Sequence, residues 1–411
     1  MAFSMLQLFL IGALGPRLLA DLGPAGVTAT VLGLTTTVGF GTAAVLSPLG
    51  GRLVDRIGPR RALVALLALA ALALALIGAA PGPGLLLGAV ALGGVPQALA
   101  NPATNKMILA AVPAARRGAV TGAKQSGVQL GAFAAGLPLA TAAGLLGWRG
   151  AVWIGSGAAL LAALWAWRAL PADAPRRPVP GTANGRTTRL TSPAGHPGPV
   201  PWLAAFSLFL GAGIASVNTY LALFGTQRLG LGPASAGALV AVLGVAGIGG
   251  RIGWSRAATP ARAPWLPGLL AAAAVGAALL LVLAVRVAPV AWLAAVAVGV
   301  FAVSGNAVSM VLVMQRSAPG RAGQDSAWVA AGFFAGFAVG PPLFGLLAER
   351  GRYGTGWALV AAEFALAAGV AVIWAVRDRG RTGGPDTSAP DTSAPDTSAG
   401  APAAARKETA A

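Results

Sequence analysis

Long apolar stretches, broken at regular intervals by glycine, proline or charged residues, run along most of the chain. A bilayer core about 30 Å thick requires about 20 apolar residues for one helical crossing, and the stretches have this length. The alternating segments of about 10 residues that are typical of transmembrane barrels are not seen. The pattern predicts twelve transmembrane helices near residues 2–22, 27–49, 62–80, 85–110, 118–140, 150–168, 201–225, 231–250, 264–285, 289–314, 324–346 and 355–376.

The composition agrees with a membrane protein. The 411 residues are 56% hydrophobic and only 10% charged, whereas soluble domains carry about 25% charged residues. The absence of cysteine excludes a disulfide framework and a thiolate metal site. The single histidine, His196, excludes a multi-histidine metal centre. We therefore expect neither a metal nor another cofactor.

The formal net charge of +18 would fit a nucleic-acid partner, but the positions of the charges argue against one. Most of the 29 Lys and Arg residues lie in the even-numbered connections and the C-terminal tail. The opposite side holds only Arg17, Arg149, Arg228, Arg286, Arg350 and Arg352. The positive-inside rule then predicts a multi-pass protein of the inner (cytoplasmic) membrane with both termini in the cytoplasm.

Two polar segments divide the chain. Residues 171–200, rich in Pro, Gly, Thr and Arg, predict a cytoplasmic linker. The linker separates an N-terminal six-helix bundle at 1–170 from a C-terminal six-helix bundle at 201–378. Residues 379–411 contain Pro-Asp-Thr-Ser-Ala three times and predict a disordered cytoplasmic tail.

The two predicted bundles resemble each other in sequence. Arg117–Leu139 aligns without gaps on Arg321–Leu343, and Gly50–Leu53 matches Gly249–Ile252. Such parallel repeats predict an all-α membrane protein with twelve transmembrane helices in two pseudo-symmetric six-helix bundles. A substrate site is then expected near the bilayer midplane, where the bundles meet.

A basic segment at residues 50–61 separates the second and third apolar stretches with the spacing G-x-x-x-D-R-x-G-x-R-R. Its motif positions are Gly51, Asp55, Arg56, Gly58, Arg60 and Arg61. The spacing resembles the loop between helices 2 and 3 of the major facilitator superfamily of secondary transporters, bacterial twelve-helix type. The resemblance implies rocker-switch alternating access and a cytoplasmic gate in which Asp55 meets the N-terminal end of the helix that starts near Asp325. The alternative is that these residues only fix topology.

Polar residues are concentrated on a few of the predicted helices. Polar groups in hydrocarbon are costly and usually face a cavity or the bundle interior. The fourth and fifth stretches carry amides and hydroxyls at i, i+4, i+8 spacing, which predicts one polar face on each. The substrate-cavity candidates are Gln97, Asn101, Asn105, Thr121, Lys124, Gln125 and Gln129, with Asn218, Tyr220 and Asn306 in the C-terminal bundle. The alternatives are hydrogen bonding between helices and, for Lys124, extension to the cytoplasmic interface.

The third, sixth, ninth and twelfth stretches are almost free of polar residues and are expected to face lipid. Glu363 is the exception in the twelfth stretch. It could carry a proton, but its expected position at the lipid surface favours a structural hydrogen bond or a neutral acid.

A cavity with amides and a cation, but no carboxylate at the same depth, favours a polar or anionic organic metabolite as substrate. The alternatives are efflux of hydrophobic drugs or a secondary metabolite by proton antiport, and a non-transporting membrane sensor. The apolar stretches contain no cluster of acids, histidines or a serine–base pair, so an enzyme is not expected. The expected partners are the small-molecule substrate and the lipid bilayer; a coupling proton remains open, and the protein is expected to be a monomer without a nucleic-acid partner.

Overall fold

The computed structural model describes residues 1–113, 117–171, 199–258, 264–316 and 322–382, and all regular structure within these ranges is helical. The helices are α1 (Ala2–Leu22), α2 (Ala29–Ile57), α3 (Pro59–Gly78), α4 (Pro83–Ala111), α5 (Arg117–Ala134), α6 (Ala140–Ala169), α7 (Pro199–Gln227), α8 (Pro233–Ala257), α9 (Leu266–Ala284), α10 (Val290–Ala297), α11 (Val303–Arg316), α12 (Ala322–Glu349) and α13 (Tyr353–Thr382). One π-helical turn joins α5 to α6, and another joins α10 to α11. The predicted all-α membrane fold is confirmed.

Eleven helical segments in the described part are long and apolar enough to span a membrane, and one of them, Lys124–Ala169, has 46 residues. At 1.5 Å per residue this segment would be about 70 Å long, roughly twice a bilayer core. It reverses at Gly147, where φ is 72° and ψ is 168°. After this glycine α6 runs antiparallel to α3, because Trp153 and Ser156 donate hydrogen bonds to the successively earlier carbonyls of Ala75 and Ala71. The chain therefore makes about twelve crossings.

The turn between α2 and α3 is shorter than the sequence predicts. Helix α2 continues to Ile57, and α3 begins at Pro59, so Gly58 alone separates them. Its φ of 89° lies in a region that glycine adopts at low cost, and proline is favoured at the first position of the next helix. Most of the G-x-x-x-D-R-x-G-x-R-R segment is therefore helical.

Large exposed apolar side chains are frequent on α6, α9 and α13, as expected for helices that face lipid. Helix α13 packs along α7 and α9, and Glu363 is only 7% exposed on this packed side. The expectation that Glu363 faces lipid is therefore wrong. A carboxyl group is poorly solvated by lipid, and the packing of α13 turns this residue into the bundle.

The N-terminal half (α1–α6) meets the C-terminal half (α7–α13) along α2 with α12, α1 with α7, and α5 with α8. We call the membrane face where α1 begins and α2 turns into α3 the terminal face, and the opposite one the distal face. Near the distal face the Tyr220 hydroxyl donates to the carbonyl of Ala29 at 2.7 Å. A Cβ on Gly33 would lie 2.7 Å from the Pro341 carbonyl oxygen. We call Ala29, Gly33, Tyr220 and Pro341 the distal seam; here the two halves are in backbone-to-backbone contact.

Candidate functional site

One lysine connects the polar faces predicted on the fourth and fifth apolar stretches. Lys124 Nζ donates hydrogen bonds to Oδ1 of Asn101, at 3.2 Å, and to Oδ1 of Asn105, at 2.7 Å. Lys124 lies on α5, whereas both asparagines lie on α4. Because residues four apart share one side of a helix, a single ammonium group reaches both amides. The lysine charge is therefore directed toward α4.

Gln97, one turn before Asn101, faces a different neighbour. It is 2% exposed and lines a small internal pocket with Gln7, Thr35 and Thr36. The pocket has room for about one water molecule, and Gln97 Oε1 has no hydrogen-bond partner. Gln7 is absent from the sequence candidates, although it is the only amide in α1. That isolation within an apolar helix is the signal that could have identified it.

The two glutamines of α5 contact α8 in the C-terminal half, Gln129 through its side chain and Gln125 through its backbone carbonyl. Gln129 is 4% exposed, lies beside Gly247, and its Oε1 has no hydrogen-bond partner. The Gln125 carbonyl accepts a hydrogen bond from Arg251 Nη1 at 3.3 Å. Arg251 is also missing from the sequence candidates, where it entered only as a positive charge and as the repeat counterpart of Arg52. Its place within an apolar helix was the available signal.

The three candidates of the C-terminal half occupy separate places. Asn218 uses Nδ2 within its own helix, donating to the Ile214 carbonyl at 2.9 Å, and leaves Oδ1 without a partner. Asn306 Oδ1 is also buried without a partner. Tyr220 is fully buried and belongs to the distal seam. The two asparagines therefore offer acceptors, whereas the tyrosine joins the halves.

The described part of the structure includes only some of the gate motif. Gly51 and Asp55 lie in α2, but the surroundings of their side chains are outside the described part. The same holds for the cavity candidate Thr121 in α5. Gly58 forms the α2–α3 turn. Arg56 and Arg61 are exposed, and Arg60 donates to the carbonyl of Trp167 on α6. The gate role of Asp55 stays a prediction.

Positive charge dominates where α4, α5 and α8 approach the terminal face. Two carboxylates of the described ranges form ion pairs elsewhere: Asp21 pairs with Arg149, and Asp378 pairs with Arg316 at 2.9 Å. Neither Lys124 nor Arg251 has a described carboxylate within ion-pair distance. The arrangement offers two cations, several amide acceptors and no described counter-charge.

Comparisons with known proteins agree with the fold. The family model described as Major Facilitator Superfamily matches residues 1–330. A comparison with curated protein sequences finds no match. A bacterial homologue of the human lysosomal transporter Spinster, solved in an inward-facing and occupied conformation, has a TM-score of 0.72 and 17% identity, covering 92% of this chain and 96% of that chain.

Two further solved structures are similar. A D-xylose–proton symporter has a TM-score of 0.70 and 17% identity, covering 91% of this chain and 96% of that chain. The human organic anion transporter MFSD10 has a TM-score of 0.65 and 17% identity, covering 90% of this chain and 97% of that chain. At these identities the similarity establishes the fold alone.

Proposed function

The chain belongs to the major facilitator superfamily, and on this premise we propose that it carries a small polar or anionic organic solute across a bacterial cytoplasmic membrane by rocker-switch alternating access. It is a multi-pass membrane protein and a secondary transporter, not an enzyme. The solved structures that it resembles include a sugar symporter, a nucleoside transporter and an organic anion transporter. The choice among such solutes depends on the side chains between the halves.

The observation that carries the preference for an anionic or polar solute is the ammonium group of Lys124. Asn101 and Asn105 hold this group between α4 and α5 through neutral amides, without neutralising it. A lipophilic cation at this position would be repelled, whereas an anion would gain charge attraction that is strong in a low-dielectric site. The amides supply further hydrogen bonds to a polar solute.

Charge distribution and packing support the proposed topology and mechanism. The positive-inside rule favours a cytoplasmic position for the terminal face, and with this orientation the distal seam closes the outer side. Because the chain has no cysteine, single introduced cysteines report the topology. We expect Ser192→Cys to react only from the cytoplasm and Gly82→Cys only from outside. Reaction of both from one side would rule out this topology.

A thermal-shift screen of the purified protein tests the substrate class. The ligands are small organic acids, their uncharged amides, sugars and lipophilic cations. We expect an organic acid or another polar solute to stabilise the protein. If the ligand is an acid, Lys124→Gln should weaken its binding more than that of its amide, because the carboxylate of the acid loses the ammonium as its charged partner. Lys106→Gln on α4, whose side chain is exposed, is the matched control and should have less effect.

Two results would contradict the proposal. Stabilisation by lipophilic cations alone would favour drug efflux. Unchanged binding and transport in Lys124→Gln would remove the lysine from the site.

A further inference from the structure

Arg251 is a charged side chain in the membrane that the proposed function leaves unexplained. It lies on α8 and is partly buried, and its guanidinium reaches across to α5. Its one described hydrogen bond goes from Nη1 to the Gln125 carbonyl, at 3.3 Å. Nε is buried and has no partner. In the described part of the chain no carboxylate forms an ion pair with Arg251.

A partly buried guanidinium without an ion pair lowers the stability of the protein unless a bound anion neutralises it. A guanidinium stays protonated in proteins, so Arg251 cannot avoid the cost by losing its charge. Burial of an unpaired ion is strongly unfavourable, and a single neutral carbonyl does not cancel it. If Arg251 only anchored α8 at the interface, its head would extend toward the terminal face. Instead it is turned sideways onto α5.

Arg251 and Lys124 lie at a similar depth in opposite halves. Arg251 precedes the end of α8 by less than two turns, and Lys124 follows the start of α5 by about two turns. Each is therefore roughly 10 Å from a helix end on the terminal face. Arg251 contacts the carbonyl of Gln125, the residue next to Lys124. Gln129 is one turn further along α5 and has a free oxygen.

We propose that Arg251 and Lys124 bind the two acidic groups of one small dicarboxylate, so that this solute bridges the two halves of the transporter. The proposal rests on the proposed function and narrows its substrate class. Two unpaired cations require two negative charges for neutralisation. The planar guanidinium suits a bidentate contact with one carboxylate, and the ammonium held by Asn101 and Asn105 takes the other. Gln129 Oε1 accepts a hydrogen bond from a hydroxyl or amine on the solute.

The test is a binding series on the purified full-length protein. The probes are straight-chain dicarboxylates of four to six carbons, the monoamide and diamide of each, and inorganic phosphate. Thermal stabilisation as a function of ligand concentration gives the apparent affinity. We expect the best dicarboxylate to bind at least about tenfold more tightly than its monoamide, because one charged contact is lost.

Substitutions at Arg251 then distinguish its contribution to binding from that of Lys124. Arg251→Gln should weaken dicarboxylate binding by about tenfold or more and remove the preference over the monoamide. Arg251→Lys, which keeps the charge without the planar fork, should restore part of the preference. Arg256→Gln is the control on the same helix, because Arg256 is exposed, and should match the wild type.

The outcomes distinguish this inference from the proposed function. A dicarboxylate preference that survives undiminished in Arg251→Gln would overturn the inference. So would phosphate binding as tight as that of the best dicarboxylate, which indicates a general oxyanion site. A wild-type protein that binds a monocarboxylate through Lys124 alone would keep the proposed function and reject the bridging role. Should Arg251→Gln fail to fold, Arg251→Lys and the wild-type preference for dicarboxylate over monoamide decide the question.

Discussion

The distal seam and a polar cluster near the terminal face, formed by Gln125, Gln129 and Arg251, are two contacts between the same two halves, and they are built in opposite ways. In the distal seam the Tyr220 hydroxyl has its acceptor on the other half. Next to it, the backbone N–H of Thr30 donates to Glu349 Oε1 at 2.9 Å. In the polar cluster, Gln129 Oε1 and Arg251 Nε have no partners. In the seam both the Tyr220 hydroxyl and the Thr30 N–H have partners across the halves, and Thr30 Oγ1 is the unpartnered atom beside them. The cluster, by contrast, leaves a charged group without a counter-charge in the described part of the chain as well as an amide oxygen without a partner. This difference is what we expect between a closed gate and a binding site.

The largest effect is expected from a methyl group inserted into the distal seam. A Cβ on Gly33 would lie 2.7 Å from the Pro341 carbonyl oxygen, and backbone cannot rotate away. Gly33→Ala should therefore disfavour distal closure by about 1–3 kcal/mol and lower transport strongly. Labelling of Ile11→Cys, a buried position on the small internal pocket, from the distal side should increase. Gly41→Ala on the same helix is the control, because a Cβ there meets nothing within 4 Å.

The predicted latch on the terminal face is the counterpart of the distal seam, and Asp55→Asn tests it. If Asp55 stabilises closure at the cytoplasmic side through a helix N-terminus, loss of its charge should reduce transport by roughly tenfold through a population shift. Membrane insertion should be unaffected. Transport into membrane vesicles gives the rate, and Asp378→Asn, another carboxylate near the terminal face, is the control. Wild-type kinetics in Asp55→Asn would leave the residue a role in topology only.

A smaller effect is expected when the distal seam loses one hydrogen bond without a change in shape. Tyr220→Phe removes the contact with the Ala29 carbonyl but keeps the ring stacked on Phe344 at a centroid distance of 4.7 Å. The free energy that favours the distally closed state should fall by about 1 kcal/mol, which changes the ratio of closed to open molecules about fivefold. Distal labelling of Ile11→Cys measures this shift. A larger change than for Gly33→Ala would mean that the hydroxyl, rather than the backbone contact, dominates the seam.

The smallest effect is expected at Glu363, which also has an unpartnered oxygen but lies outside both regions. Glu363→Gln preserves volume and resembles a neutral carboxylic acid, so the free energy of unfolding should change by less than about 0.5 kcal/mol. Transport should also be close to wild type. The unfolding midpoint and the pH dependence of uptake are the measurements. Loss of proton-driven uptake in this variant would show that an unpartnered polar atom outside the polar cluster also contributes to transport.

Helix number and membrane class were predictable because they depend on local properties of the chain. A stretch of about 20 apolar residues inserts as a helix largely independently of its neighbours. The motif around Asp55 and the duplication around Arg117–Leu139 then indicated the family, which the match over residues 1–330 confirms. The glycine-proline turn at Gly58 and Pro59 was also readable, although the length of α2 was underestimated. The boundaries of the two bundles and of the linker stay predictions.

The grouping of side chains into sites was decided by tertiary structure. Gln97, Asn101 and Asn105 read as one stripe, but i, i+4 and i+8 positions rotate by about 80° over the series. This rotation lets Gln97 face α1 and α2 while Asn105 meets Lys124. The inward position of Glu363 and the contact of Arg251 with α5 likewise depend on which helices pack together. Helical period defines the faces of a helix, but the partner of each face comes from contacts distant in sequence, which a single sequence does not contain.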